Sequence, residues 1–384
     1  MTVLRWLTAG ESHGPMLIGI LDGMPAGMPL REEDLAPRMR RRQGGHGRGK
    51  RMTIEPDRPV ILGGTWHGET TGAPIGIAIE NRSNRAQRSQ VRRTHPRPGH
   101  ADLAGVLKYG LTDINPVLER ASARETAMRT ALGAVCCQLL ELIGARLTGR
   151  VIALGGVEAP ALPDGWGPAE IERTRDESAV ACCDADASAA MVARVDEARE
   201  QGETLGGRIE LRVWNLPPGL GTYAQSDRRL DARLGAALLS IPSVKECELG
   251  DALAAGAGPG SAAHDVIVRV GEGLGRASNR AGGLEAGVTN GETLVARITL
   301  KPISTLRRPL PTVDLDSGQE VPGRYVRSDV CVVPAATVIA EAVAALVLAD
   351  SVLEKFGADR FAELRELVGR FRAGLPRWAP EARP

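Results

Sequence analysis

Three groups of residues have types and spacings suited to chemistry on an anion. The first is Gly10-Glu11-Ser12-His13-Gly14, which places a serine and a histidine between two glycines. It matches the G-x-S-x-G pattern of hydrolase nucleophile elbows, but that device needs a strand before it and a helix after it. Here Pro15 follows and Met16–Leu21 reads as a strand, so the elbow reading fails and a tight presenting turn remains. The second group is cationic. Residues 38–51 hold seven Lys or Arg and no acid, and residues 82–97 hold six Arg and no acid. Guanidinium forks bind carboxylate and phosphate through paired hydrogen bonds. Crowded cations repel one another, so these loops suit a bound small polyanion or a nucleic-acid surface. A net charge of +1 and an aromatic content of 3% count against the nucleic acid. The third group is Arg97-Pro98-Gly99-His100-Ala101-Asp102, where a Pro-Gly turn holds a histidine. Histidine changes charge near neutral pH, which suits general acid work.

Weaker candidates lie further along. Lys301-Pro302-Ile303-Ser304-Thr305 combines an ammonium with two hydroxyls, the makings of a phosphate clamp, and it follows a strand preceded by the glycine-rich stretch 282–291. Arg327-Ser328-Asp329 reads either as an ion pair before a helix or as a partly desolvated general base. The glycines at 256, 258 and 260 lack the strand-turn-helix setting of a dinucleotide fingerprint. The six histidines show no zinc-site spacing, so no metal is expected.

The elements that must position these groups mix strand and helix without steady alternation, which excludes a parallel doubly wound sheet. Strands are expected at Leu4–Ala9, Met16–Leu21, Met52–Glu55, Val60–Gly63 and Ile75–Glu80, with Arg208–Val213 and Thr293–Leu300 as antiparallel partners. Glu32–Arg42 reads as a helix, with acids in its first turn and arginines in its last. Residues 43–51 and 81–99 are loops. Ser122-Ala123-Arg124-Glu125 reads as a capping box before a helix reaching about Ile143. Later helices are expected at 187–201, 227–239 and 335–356, and 375–384 as a frayed tail.

Bulk properties narrow the class. The 384 residues are read as one domain, 1–384. Residues 1–130 carry 20 Lys/Arg against 13 Asp/Glu, so the first third is +7 and the rest about −6. The six cysteines lack C-x-x-C spacing and read as buried reduced thiols. With no export signal and an apolar stretch, Val330–Ala340, too short to span a bilayer, a cytoplasmic protein with no membrane partner is expected.

Taken together, the chain resembles the chorismate synthase family. The resemblance rests on GESHG (10–14), RRQGGHGRGKRM (41–52), RPGHADLAGVLKYG (97–110), ERASARETAMR (119–129), TLGG (204–207), PPGLG (217–221), RLDARL (229–234), SNRAGGLEAGVTNG (278–291), KPIST (301–305) and RSDVCVVPAA (327–336), in family order. It implies an α+β sandwich of helices between antiparallel β-sheets and a homotetramer. It implies an anti-1,4-elimination of phosphate from 5-enolpyruvylshikimate 3-phosphate to give chorismate, with reduced FMN required and no net redox change. NADPH would serve only as a source of reduced flavin, through a separate flavin reductase. By family position, His13, His100, Asp329, Ser12 and Ser122 are the expected catalytic residues: His13 protonates the departing phosphate, His100 sits by the flavin pyrimidine, Asp329 helps take the ring proton, and the serines assist by hydrogen bonding. The flavin would rest on Arg120, Ala121, Ser122, Pro242, Ser243, Ala286, Lys301, Pro302, Ile303, Ser304, Thr305 and Arg327. The substrate would meet Arg42, Arg48, Arg51, Arg97, Arg124 and Arg327. Three departures stand out: Ala286 where the family usually has glycine, His46 where it usually has tyrosine, and an arginine-free 254–260. An RNA-binding protein built on the arginine loops is the alternative.

Overall fold

The computed structural model describes residues 3–49, 56–82, 91–271, 273–323, 328–357 and 359–375. Four antiparallel strands form the first sheet: β1 (Arg5–Ala9), β2 (Met16–Asp22), β3 (Pro59–Gly63) and β4 (Ile75–Glu80), in the order β1-β2-β4-β3. Along β2 exposed and buried residues alternate, as a strand with one covered face requires. Leu17 and Leu21 point into the core, while Met16, Ile18 and Ile20 point out. The second sheet has five strands, β5 (Arg146–Leu154), β6 (Val157–Glu158), β7 (Gly207–Trp214), β8 (Val244–Leu249) and β9 (Leu294–Leu300), in the order β8-β9-β7-β5-β6 and again antiparallel.

Two helices fill the space between the sheets. The first, Thr126–Leu142, lies against β2 and β4; the second, Val333–Phe356, lies against β5 and β7, and the two helices pack along each other. A helix apolar on all sides belongs in an interior, and 20 of the 24 residues of Val333–Phe356 are buried. Close approach depends on glycine. A Cβ at Gly133 would sit 2.3 Å from the Ala342 carbonyl oxygen, and one at Gly19 would sit 2.5 Å from Met128 Sδ. The charges within this interior are paired. Glu341 accepts two hydrogen bonds from Arg41 (2.7 and 2.8 Å), one from Arg175 (3.3 Å) and one from the Gly149 amide (2.7 Å). Asp350 accepts from the amides of Val3 (2.7 Å) and Leu4 (2.6 Å) and from Arg233.

The expected strands and helices recur with ends within about two residues, apart from 227–239, which divides into a 3-10 turn at Ser226–Arg228 and a helix at Leu230–Leu239. Met52–Glu55 and nearly all of the 375–384 tail lie outside the described residues. The capping box is half formed. Ser122 Oγ accepts from the Arg124 amide (3.3 Å), but Glu125 turns away to Thr8 and Arg129, each at 2.9 Å. Residues Ala123–Glu125 therefore form a 3-10 turn ahead of the helix. The apolar run near the C-terminus is longer than Val330–Ala340: by length and composition Val333–Phe356 could cross a membrane, but it is sheathed by the protein itself.

Candidate active site

The site grows from the turn at 10–14. Gly10 has φ +99°, and a Cβ there would lie 2.4 Å from the Met16 carbonyl oxygen, so the reversal between β1 and β2 requires glycine. Buried Asn81, just after β4, clamps the turn. Its amide donates to the carbonyls of Glu11 (3.0 Å) and Gly14 (2.9 Å), and its oxygen accepts from Arg124 Nε (2.9 Å). On the other side, the short helix Asn115–Arg120 supplies Glu119. The Glu119 carbonyl accepts from the Ser12 amide (3.1 Å), and its carboxylate accepts from the His13 amide (2.8 Å) and meets His13 Nδ1 at 2.9 Å. Ser122 Oγ donates to Ser12 Oγ at 3.3 Å. The structure thus brings Ser12, His13, Ser122 and Arg124 together.

Beneath them lies a buried ion cluster. Asp57, with no exposed side-chain surface, binds Arg42 Nη1 at 2.9 Å and also Arg124. Arg42 gives its remaining donors to Thr126 Oγ1 (3.1 and 2.9 Å) and the Ala123 carbonyl (3.1 Å). Burial pulls the Arg42 guanidinium down to about 10; Asp57 opposes this, while Arg48 and Arg124 add to it. Arg48 binds Asp329 (2.7 Å), whose other oxygen accepts from the Gly49 amide (2.6 Å). This sequence-distant pair joins the arginine loop to the start of the Val333–Phe356 helix.

A second cluster forms around His100. Its Nδ1 lies 2.5 Å from Asp102 and 3.0 Å from Arg97 Nη2, so the nearer carboxylate makes Nδ1 a donor. Arg97 also reaches Asp102 through Nε (2.8 Å) and Thr305 Oγ1 through Nη1 (3.0 Å). Burial pushes the Asp102 carboxyl up, but His100 and Arg97 outweigh it and hold it well below the usual carboxylate range. Beside them, Lys301 Nζ and Ser304 Oγ both donate to the Gly99 carbonyl, at 2.8 and 2.7 Å. Thr204 Oγ1 donates to the Ile303 carbonyl at 2.8 Å, and Gly206 fits against Leu300 and Pro302 only because it lacks a Cβ. Burial and the neighbouring Lys245 pull the Lys301 ammonium below its ordinary value.

Between the clusters, Trp6, Thr8, Arg120, Ala121, Ser122, Glu125, Arg129 and Pro242 line an open cavity of about 210 Å³. Ser243 adjoins it with φ +72°, and its carbonyl accepts from the Lys301 amide (2.9 Å). Strained backbone of this kind collects at ligand sites. No hydrogen bond among the described residues joins His100 directly to His13; the link runs through Lys301, Ser243, Pro242 and this cavity. Ala286 lies elsewhere. Its neighbour Gly287 accepts from the Leu230 amide, at the opposite end of the Leu230–Leu239 helix from Pro242, with about 15 Å of helix between. Arg51 and Arg327 lie outside the described residues. His46 has found a partner in Asp196, at 2.8 Å.

Four residues of this site escaped the sequence reading: Asp57, Asn81, Asp102 and Glu119. Asp102 and Glu119 stood inside RPGHADLAGVLKYG and ERASARETAMR, yet nothing in their spacing marked them as partners of His100 and His13. Asp57 and Asn81 carry no local signal at all.

A family profile described as chorismate synthase matches residues 4–353. A chorismate synthase of Nocardioides sp. (strain ATCC BAA-499 / JS614) is 49% identical, over 94% of this chain and 97% of that protein. One from Acidothermus cellulolyticus is 50% identical over the same shares. A solved structure titled Crystal Structure of Chorismate Synthase superposes with a TM-score of 0.79 at 36% identity, covering 96% of this chain and 98% of that one. The RNA-binding alternative gains no support from these relatives.

Proposed function

Because this chain belongs to the chorismate synthase family, a family of lyases, we propose that its two histidine clusters and the cavity between them carry out the elimination of phosphate from 5-enolpyruvylshikimate 3-phosphate with reduced FMN as cofactor. The observation that carries this reading is the convergence of Ser12, His13, Arg42, Arg48, Arg124 and Asp329, from four distant segments, around buried Asp57.

The cofactor's fit is supported by the donor set. Lys301, Ser304 and Thr305 offer an ammonium and two hydroxyls, and among the described residues no carboxylate lies within ion-pair distance of Lys301. An ammonium depressed by burial and by a second lysine is a place for a phosphate. The cavity bounded by Arg120, Ala121, Ser122 and Pro242 is open enough to admit a flat ring; Pro302, Ile303 and Arg327 complete the proposed set, and Ala286, at the far end of the Leu230–Leu239 helix, stands apart from it. Bound there, reduced FMN would lend electron density to the breaking carbon–oxygen bond.

The chain's own residues do the rest. Arg48, Arg51, Arg97, Arg124 and Arg327 bind the substrate's carboxylates and phosphate, with Arg42 holding Arg124 in place through Asp57. His13 gives a proton to the departing phosphate, with Ser12 and Ser122 as hydrogen-bonding neighbours. His100, fixed by Asp102, stabilises negative charge. The Asp329 carboxylate receives the ring proton. Preorganised charge in a site shielded from water stabilises charge that develops during reaction. The reading extends to a homotetramer, a cytoplasmic location and a separate flavin reductase drawing on NADPH. The apolar outer face of the first sheet supports the oligomer.

The test is anaerobic phosphate release from 5-enolpyruvylshikimate 3-phosphate. Release with pre-reduced FMN and none without it is expected; release without flavin would overturn the reading. Activity with NADPH and oxidised FMN alone would instead show an intrinsic reductase.

A further inference from the structure

We propose that Glu119 is the positioning residue of His13, setting which ring nitrogen faces the departing phosphate. This rests on the reading of His13 as the acid. Glu119 touches the turn three times. Its carbonyl takes the Ser12 amide (3.1 Å), and its carboxylate takes the His13 amide (2.8 Å) and the His13 ring at Nδ1 (2.9 and 3.2 Å). The backbone bonds fix where the ring begins and the side-chain bond fixes its rotation.

The chemical consequence is a choice of tautomer. A carboxylate can only accept, so Nδ1 carries a hydrogen and Nε2 becomes the exchangeable position. In the proton transfer the Nε2–H bond breaks and its electron pair stays on nitrogen. A new O–H bond forms on the leaving phosphate. The imidazole left behind is the Nδ1–H tautomer, whose one remaining hydrogen already points at Glu119. The product of the step is therefore held without rotation of the ring. The same orienting logic operates wherever a buried acid holds the far nitrogen of a catalytic histidine. Glu119 is itself fixed by chain direction, since the helix Asn115–Arg120 ends one residue later and Arg120 donates to the carbonyls of Gly10 (3.0 Å) and Thr8 (2.9 Å), on the far side of the same turn.

The test pairs ring 15N spectroscopy with steady-state kinetics. The His13 resonances are assigned by comparison with His13→Gln, above the pH at which the ring is charged. The wild type should show the Nδ1–H form. Glu119→Ala should shift it toward the Nε2–H form that water favours and lower kcat about 30-fold with KM within twofold. Glu119→Gln, whose amide oxygen can accept from Nδ1, should restore the Nδ1–H form and at least a third of kcat. Should Glu119→Ala not fold, Glu119→Asp serves, with the same changes to a smaller extent. An unchanged tautomer, a kcat within threefold of wild type, or a change in KM alone would overturn the proposal. A wild-type rate in His13→Ala would remove the acid reading instead, and the tautomer shift would be unaffected by it.

Discussion

At Ala286 a side chain occupies backbone space that suits glycine. Its φ is +49° and that of Gly287 is +83°, so the two form the tight connection between the short strands Leu284–Glu285 and Val288–Thr289. An L-residue in the left-handed region costs roughly 1–2 kcal/mol. Ala286→Gly should therefore raise stability by about 1 kcal/mol, read as a higher urea midpoint at unchanged slope. The histidines differ in kind, since their value lies in proton transfer. His13→Ala and His100→Ala should each cost about 100-fold or more in turnover while circular dichroism stays that of the wild type. Near-wild-type rates in both would remove their assigned roles. Asp57→Asn should do the reverse and damage structure first. It leaves Arg42 and Arg124 buried beside a neutral amide, and breaking a buried pair costs about 3–5 kcal/mol. A fall of that size in the denaturant midpoint checks it.

At the scale of elements, stability resides in the glycine contacts and the charged outer face of the second sheet. Gly133→Ala would drive a methyl into the Ala342 carbonyl and separate the two central helices, at a cost of about 3 kcal/mol. Glu210, on β7, accepts from Arg150 (3.0 Å), Arg212 (2.8 Å) and Arg297 (3.0 Å), arginines drawn from β5, β7 and β9. Burial raises its pKa, but the three arginines prevail and hold it at about 2. A carboxylate held below its unfolded value adds stability above the unfolded pKa, near 4.5, and loses it as pH falls through the folded value, near 2. Wild-type protein should therefore lose stability between those limits more steeply than Glu210→Gln, by about 3 kcal/mol in denaturation measured across that window.

For the molecule as a whole, local pattern and remote pairing divide what could be read from sequence. The strand Met16–Leu21 was legible as a short apolar run between turns, and Arg208–Val213, the antiparallel partner of Thr293–Leu300, because charged and apolar residues alternate along it. The strand Arg146–Leu154 was not: seven of its nine residues between Leu147 and Leu154 are buried, and an almost continuous buried run has no alternation to detect. The turn at 10–14 was legible as a presenting device, but Asp57 and Asn81 were not. Their importance comes from partners 67 and 43 residues away on Arg124. Outside the core, Leu7, Ile18, Ile20, Val60 and Leu62 share the uncovered face of the first sheet, with Leu7 directly opposite Ile20 and Leu7 75% exposed. A connected apolar patch of this kind marks an association surface. Sedimentation should give a tetramer for the wild type, and Leu7→Glu with Ile20→Glu should dissociate it.

The hydrogen bonds from Val3 and Leu4 to Asp350 fasten the first strand to a residue 346 positions beyond Leu4. During synthesis that anchor does not exist until Asp350 has been added. Until then the strand that leads into the His13 turn has its pairing with β2 but lacks this anchor, while more than three hundred residues are added. The central helix Val333–Phe356 therefore closes over a strand that left the ribosome more than three hundred residues earlier.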